Sequence, residues 1–318
     1  MTLVTGGTGF IGTHLLERLG TMGEPVRALV RRRVDLPAGV EPVRGDLVTG
    51  EGLAEALHGV DTVIHLAGVT KALRTADYYA GNGGATRNLA GALAGRPVRF
   101  VHVSSLAAIG PSPDGTPVTE DAVPHPPVTY GKSKLEAERA VRELTPDAVI
   151  VRPAVVYGPR DTDVFKLLQS VSRGFIVEIA GGIRYFSAIY VKDLVEGILA
   201  AARSPRAPGR DYFLAHAKPL TWNELAAAAA RIMWRTPRVL TIPVPVAMAI
   251  GACAEAVARI TGKPGIISRE KIREARYPFW TCDTSRATQE LGFTAATPIE
   301  AGLAATLAWY KEAGWLAY

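Results

Sequence analysis

The chain has 318 residues, with 36 Lys+Arg against 30 Asp+Glu for a formal charge of +6, and is 48% hydrophobic and 21% charged. That balance excludes a disordered chain, and 32 glycines and 22 prolines without a three-residue period exclude a collagen-like one. A basic surplus marks a nucleic-acid binder only when it clusters on a recognition motif, and the one dense run is Arg31-Arg32-Arg33, so no nucleic-acid partner is expected.

Met1 to Thr5 run straight into Gly6-Gly7-Thr8-Gly9, without the basic start and long apolar stretch of a signal peptide. Cys253 and Cys282 lack C-x-x-C spacing and neighbouring histidines, so no metal site and at most one disulfide are expected, in a cytoplasmic protein. Apolar runs at Leu3-Val4, 26–30, 62–66, 99–103 and 149–151 alternate with helical patterns. The helix over Phe10–Met22 spaces Ile11, Leu15, Leu16 and Leu19 along one face, and that over Ser133–Leu144 does so with Leu135, Ala137, Val141 and Leu144. Strands separated by helices predict an α/β fold, a Rossmann-type doubly wound parallel sheet.

After Pro153 the pattern breaks into Gly/Pro-punctuated segments and an Ala-rich helix over Asn223–Met233, predicting a smaller, mostly helical C-terminal substrate lobe. The expected division is 1–160 for the dinucleotide-binding domain, with 187–217 returning to it, and 161–186 and 218–318 for the lobe. The uncharged run Val239–Ala254 is shorter than a membrane span and holds Pro243 and Pro245. It reads as a strand end followed by a buried core helix, so no transmembrane segment is expected; peripheral membrane contact is the alternative.

Gly6, Gly9 and Gly12 recur at three-residue spacing between the first strand and first helix. Gly6 allows the tight turn, Gly9 lets a pyrophosphate approach the backbone, and Gly12 permits close helix–sheet packing beside a helix N-terminus that attracts anions. The second strand ends in Arg31 and Arg32 with no acid before Asp35, which favours the 2′-phosphate of NADP(H) over NAD(H). Tyr130 and Lys134 stand one helical turn apart. A neighbouring ammonium would lower a phenol pKa from about 10, making Tyr130 an acid/base. Ser104-Ser105 follows a parallel strand, at the sheet end that faces ligands.

Together these residues resemble the extended short-chain dehydrogenase/reductases of the NAD(P)-dependent epimerase/dehydratase type. The likeness runs through Gly6–Gly12, Gly45-Asp46-Leu47, His65-Leu66-Ala67-Gly68, Ser104-Ser105, Tyr130 with Lys134, Arg152-Pro153, Val156-Tyr157-Gly158-Pro159 and Tyr190-Val191-Lys192-Asp193-Leu194. It implies a catalytic set of Ser105, Tyr130 and Lys134, with Ser105 preferred over Ser104 by its distance from Gly110. The implied cofactor contacts are Gly6, Thr8, Gly9, Phe10, Ile11 and Gly12 in the turn, Asp46 and Leu47 beside the adenine, and Leu66, Ala67 and Gly68 along the dinucleotide. Val103 and Asn82 are carried over likewise, Pro153 and Val156 would border the nicotinamide, Tyr130 would contact the cofactor as well, and Lys134 would hold the nicotinamide ribose. Ala85 stands where the glycine after Asn82 is usual, which leaves the local helix geometry open there. The likeness also implies a homodimer through helices containing 88–93 and 135–141.

Within that family the chain is nearest the 3β-hydroxysteroid dehydrogenase and dihydroflavonol reductase-like branch. Arg184 lies nine positions before Asp193, farther than the phosphate-neighbouring arginine of the sugar-nucleotide enzymes, and the C-terminal lobe is apolar. The expectation is reversible hydride transfer at an alcohol or ketone carbon of an apolar small molecule that is steroid-, flavonoid- or β-keto-acid-like. The alternatives are a nucleotide-sugar epimerase/dehydratase with tightly bound NAD, and a non-catalytic NADP-binding subunit or sensor.

Overall fold

Short apolar runs rich in Val, Ile and Leu suit strands covered on both faces, and the computed structural model, which describes residues 1–263, 265 and 268–318, builds its central sheet from them. The strands are β1 (Thr2–Thr5), β2 (Val26–Val30), β3 (Val40–Arg44), β4 (Thr62–His65), β5 (Arg99–Val103), β6 (Val149–Pro153) and β7 (Asp211–Leu214). They lie in the order β3-β2-β1-β4-β5-β6-β7, every pairing parallel. This is the doubly wound Rossmann arrangement. The chain leaves β1 toward β2 and returns to β4 on β1's other side, so a ligand crevice opens beyond the C-terminal ends of β1 and β4.

β3 lies outside the expected apolar runs because its sequence, Val-Glu-Pro-Val-Arg, is mostly polar, and an edge strand tolerates both Pro42 and exposed side chains. Helix Phe10–Thr21 buries Leu15, Leu16 and Leu19 in the sheet's main core, beside Val4 and Ala28. Helix Thr129–Leu144 starts four residues before the expected Ser133, behind an extended Val128, so Tyr130 and Lys134 share it. A buried ion-pair network fixes that helix to the sheet: Arg152 on β6 donates to Glu138 at 2.8 Å and to Asp211 at 2.8 Å.

The lobe has its own core, in which helices Val164–Ser172, Trp222–Ile232 and Ile299–Glu312 bury Leu168, Leu225, Leu303 and Tyr310. Thr221 and Glu224 close a reciprocal capping box at the start of the Ala-rich helix. The segment around Ser285–Leu291 leaves the lobe and places Ala287 and Phe293 in the core of the cofactor domain. Gly197 makes room for this, since a Cβ there would lie 3.0 Å from the Phe293 ring.

One expectation needs correction. The apolar run beginning at Val239 forms a strand, Arg238–Ile242, then an 18-residue helix, Val244–Thr261, and that helix is not core. Of its residues only Ala247, Gly251 and Ala258 are buried, and by length and mean hydropathy, 1.5, it could cross a membrane. Apolar composition made it resemble a core helix; burial depends on what packs around it, which composition does not encode.

Candidate active site

At the end of β1 the chain turns through Gly6 with φ +73°, and a Cβ there would lie 2.5 Å from the Ala67 backbone nitrogen. Gly12 packs its bare backbone on the turn, where a Cβ would lie 2.2 Å from the Gly6 carbonyl oxygen. Gly9 N–H donates to the Gly6 carbonyl at 3.0 Å and closes the loop. Gly9 is also the N-cap of helix Phe10–Thr21, so no side chain caps the helix, and no acidic residue sits in its first turn. Uncapped N–H groups and an uncompensated positive helix end, approached through exposed Thr8 and Gly9, fit a pyrophosphate. Phe10 and Ile11 turn away and pack on the lobe core.

Arg31, Arg32 and Arg33 are exposed at the end of β2 and make no ion pair among the described residues. Beyond β3, Gly45 leads to a half-buried Asp46, whose carboxylate accepts from Val48 N–H at 2.8 Å, and to a buried Leu47, whose carbonyl accepts from Asn88 at 2.9 Å. After β4, Leu66 N–H donates to the Thr5 carbonyl at 3.0 Å, and Ala67 N–H donates to the Thr5 hydroxyl at 3.4 Å. Gly68 meets the Asn82 side chain, whose oxygen would lie 2.9 Å from an added Cβ.

Asn82 lies in a π-helical turn, Tyr79–Gly84, running into helix Ala85–Leu93. Its oxygen accepts from Val69 N–H at 2.7 Å, and its amide donates to Ser133 Oγ at 2.8 Å. Ser133 in turn donates to the Tyr130 carbonyl at 2.7 Å, so the wide turn braces the first turn of the Tyr130 helix.

Tyr130 itself faces Ser105. The Ser105 hydroxyl follows the end of β5, accepts from Ala107 N–H at 3.1 Å, and lies close enough to the Tyr130 phenol to pull its pKa down. Burial raises the phenol's pKa; the Ser105 hydrogen bond and the Lys271 ammonium pull it down less strongly, and Glu274 and Tyr78 push it up. Lys134 is buried, donates from Nζ to the Val103 carbonyl at 2.8 Å, and is pushed down to about 8 by burial, against the attraction of Glu138. In this geometry Lys134 Nζ donates to β5, and no hydrogen bond joins it to the phenol among the described residues. Pro153 closes β6, and Val156 lies in a short strand, Val155–Tyr157, paired with Ala188–Tyr190.

Gly131 sets the distance between the catalytic candidates. A Cβ at Gly131 would lie 2.2 Å from the Ala107 carbonyl oxygen, and Ala107 belongs to the turn that Ser105 caps. Gly131→Ala must push the start of the helix away from Ser105. It is expected to lower kcat by at least about tenfold while leaving cofactor affinity near the parent value, as steady-state kinetics and a fluorescence titration would show.

The model of the NAD dependent epimerase/dehydratase family matches residues 2–215. The chain belongs to that family. It is 32% identical to the ceramide reductase of Caulobacter vibrioides over 98% of this chain and 95% of that one. It is 28% identical to the N-acetyl-alpha-D-glucosaminyl-diphospho-ditrans,octacis-undecaprenol 4-epimerase of Escherichia coli O157:H7 over 96% and 93%. Among solved structures, MoeE5 in complex with UDP-glucose and NAD superposes with a TM-score of 0.80 at 26% identity, covering 98% of this chain and 99% of that one. The protein is an enzyme of the extended short-chain dehydrogenase/reductase type.

In this family member the lobe reaches the Tyr130 helix through Arg269–Glu274, which the sequence reading did not connect to the site. Glu270 accepts from Thr129 N–H at 3.3 Å and from its hydroxyl at 2.5 Å, at the otherwise uncapped N-terminus of helix Thr129–Leu144. Lys271 pairs with Glu274 at 2.8 Å, and both act on the Tyr130 phenol. The local signal was only a helix start, Ser268 accepting from Lys271 N–H, and nothing near it in sequence names a partner 141 positions away.

Proposed function

We propose that the protein reduces a ketone on a long-chain lipid, with NADPH as reductant and Tyr130 as proton donor. The observation that carries this reading is the buried Tyr130 phenol beside Ser105, since a phenol with an ordinary pKa of about 10 is a proton donor at neutral pH and burial only raises it further. A ketone oxygen needs that proton as it becomes an alkoxide, whereas alcohol oxidation needs a phenolate. The glycine turn and Lys134 would hold the nicotinamide cofactor, which would supply the hydride. Ser105 positions the substrate oxygen beside the phenol, and Lys134 stabilises the phenolate left after proton transfer until solvent restores its proton. The ketone gains one hydride and one proton, and the reduced cofactor is oxidised.

Two further observations favour a lipid over a nucleotide sugar. Arg184 spends its guanidinium on its own turn, donating to the carbonyls of Ile179 at 2.7 Å, Ala180 at 3.0 Å and Gly182 at 3.2 Å, so it is not free to hold a diphosphate. Among relatives that match over nearly the whole chain, the ceramide reductase is 32% identical and the undecaprenol-linked sugar 4-epimerase 28%, and the former suggests the keto form of a ceramide-class amide lipid. The test is a product-resolved assay with NADPH, offering such a keto-lipid in detergent micelles alongside UDP-glucose. Reduced lipid with equimolar NADPH consumption is expected; sugar epimer without net cofactor consumption would overturn the reading in favour of an epimerase.

The exposed arginines carry the preference for NADPH. Arg31→Ser with Arg32→Ser is expected to weaken NADPH by about tenfold or more and NADH by little, since a hydrogen bond to a charged group contributes about 1.5–3 kcal/mol. Titrating both cofactors side by side checks this, and equal affinities in the parent protein would refute it.

A further inference from the structure

We propose that helix Val244–Thr261 docks this protein onto an anionic lipid bilayer, lying along the surface rather than spanning it. The inference goes beyond the catalytic reading and holds whichever ketone is reduced.

The helix presents Val246, Ile250, Cys253, Val257 and Ile260 to solvent at alternating spacings of four and three, an uninterrupted apolar stripe. Its buried face is a neighbouring narrow stripe of small residues, Ala247, Gly251 and Ala258. The preceding strand, Arg238–Ile242, pairs among the described residues only with Phe175–Ile179 and adds exposed Val239 and Leu240. Just before it, Trp234 is 92% exposed, a residue type that favours the membrane–water boundary. An isolated exposed leucine needs no explanation, but a continuous apolar face of this length implies a partner.

Charge identifies the partner. Between 231 and 263 the cations are Arg231, Arg235, Arg238, Arg259 and Lys263, and the one carboxylate is Glu255. Glu255 is occupied by Arg269, accepting from its backbone N–H and its side chain at 2.8 Å each. Arg235, Arg238 and Arg259 make no ion pair among the described residues. An apolar stripe flanked by unpaired cations matches acyl chains beneath anionic headgroups. A second copy of the chain fits it poorly, because a two-fold contact would set the same cations against each other.

The docked helix also connects to the active site. It packs on helix Arg269–Glu274 at Gly251, where a Cβ would lie 2.7 Å from Ile272 Cδ1 and 3.1 Å from the Arg269 nitrogen. Arg269–Glu274 carries Glu270 on the Tyr130 helix and the Lys271–Glu274 pair beside the phenol. A bilayer under Val244–Thr261 therefore lies one helix away from the reacting groups.

The test is vesicle sedimentation of the full chain without substrate, comparing phosphatidylcholine alone with phosphatidylcholine containing phosphatidylglycerol. Binding to the anionic vesicles, reversed by high salt, is expected. Val246→Asp with Ile250→Asp should weaken it more than tenfold. Arg235→Glu with Arg238→Glu should weaken it by at least about 25-fold, about fivefold for each basic residue lost at an anionic surface. The charge variant alters only exposed side chains and stands as the readout if the stripe variant fails to fold; NADPH binding serves as the folding control. Absence of anionic-vesicle binding would overturn the proposal. So would equal binding to both vesicle types, resistance to salt and alkaline extraction as a spanning helix shows, or loss of a dimer in the stripe variant without loss of vesicle binding.

Discussion

Tyr130→Phe is expected to lower ketone reduction on the order of 1,000-fold with NADPH affinity unchanged, within the range for losing a positioned general acid. The phenylalanine keeps the ring, and the residues proposed to contact cofactor through the glycine turn lie on other elements. A phenol's ordinary pKa of about 10, which burial raises further at Tyr130, means that reduction at pH 7 needs no prior proton uptake at this residue. Alcohol oxidation by the same site requires the phenolate and should rise with pH where reduction does not. Stopped-flow rates in both directions across pH 6–9 check this; parallel profiles, or full activity in the phenylalanine variant, would refute Tyr130 as the proton carrier. Lys271→Met adds a control from the lobe, since removing a cation that pulls the phenol down should slow oxidation more than reduction.

What the sequence made legible follows how locally each feature is determined. The glycine turn could be read because its constraints are short-range: Gly12 must lack a Cβ for the sake of Gly6, six residues away. Tyr130 and Lys134 could be read because one helical turn relates them, but the direction of the lysine could not. The Val103 carbonyl that accepts from Lys134 belongs to β5, and only the parallel pairing of the sheet brings β5 beneath that helix. Glu270 and Lys271 were out of reach for the same reason at greater distance. The exposed helix Val244–Thr261 failed in a different way, because period and apolarity were visible while the absence of a covering layer is a property of the assembled lobe.

Lys134 shows how the site trades stability for function. A lysine pushed from 10.5 to about 8 by burial carries a penalty for its charge of about 3 kcal/mol, at about 1.4 kcal/mol per pKa unit. The sign follows from the proton count: between pH 8 and 10.5 the unfolded chain binds more protons at this residue than the folded one, so the parent gains stability as pH rises through that window. Lys134→Met keeps the aliphatic stem, removes the buried charge and leaves the Val103 carbonyl without this donor, at about 1–3 kcal/mol. The variant should therefore melt at or above the parent's temperature at pH 7, and the difference should shift in the parent's favour between pH 8 and 10.5. Its kcat/KM for reduction should nevertheless fall on the order of 100-fold, because nothing then stabilises the Tyr130 phenolate after proton transfer or holds the cofactor ribose. Paired melting curves and steady-state kinetics separate the two effects. A variant that loses stability and activity together at every pH would make Lys134 a packing residue, and one that keeps its activity would remove it from the site.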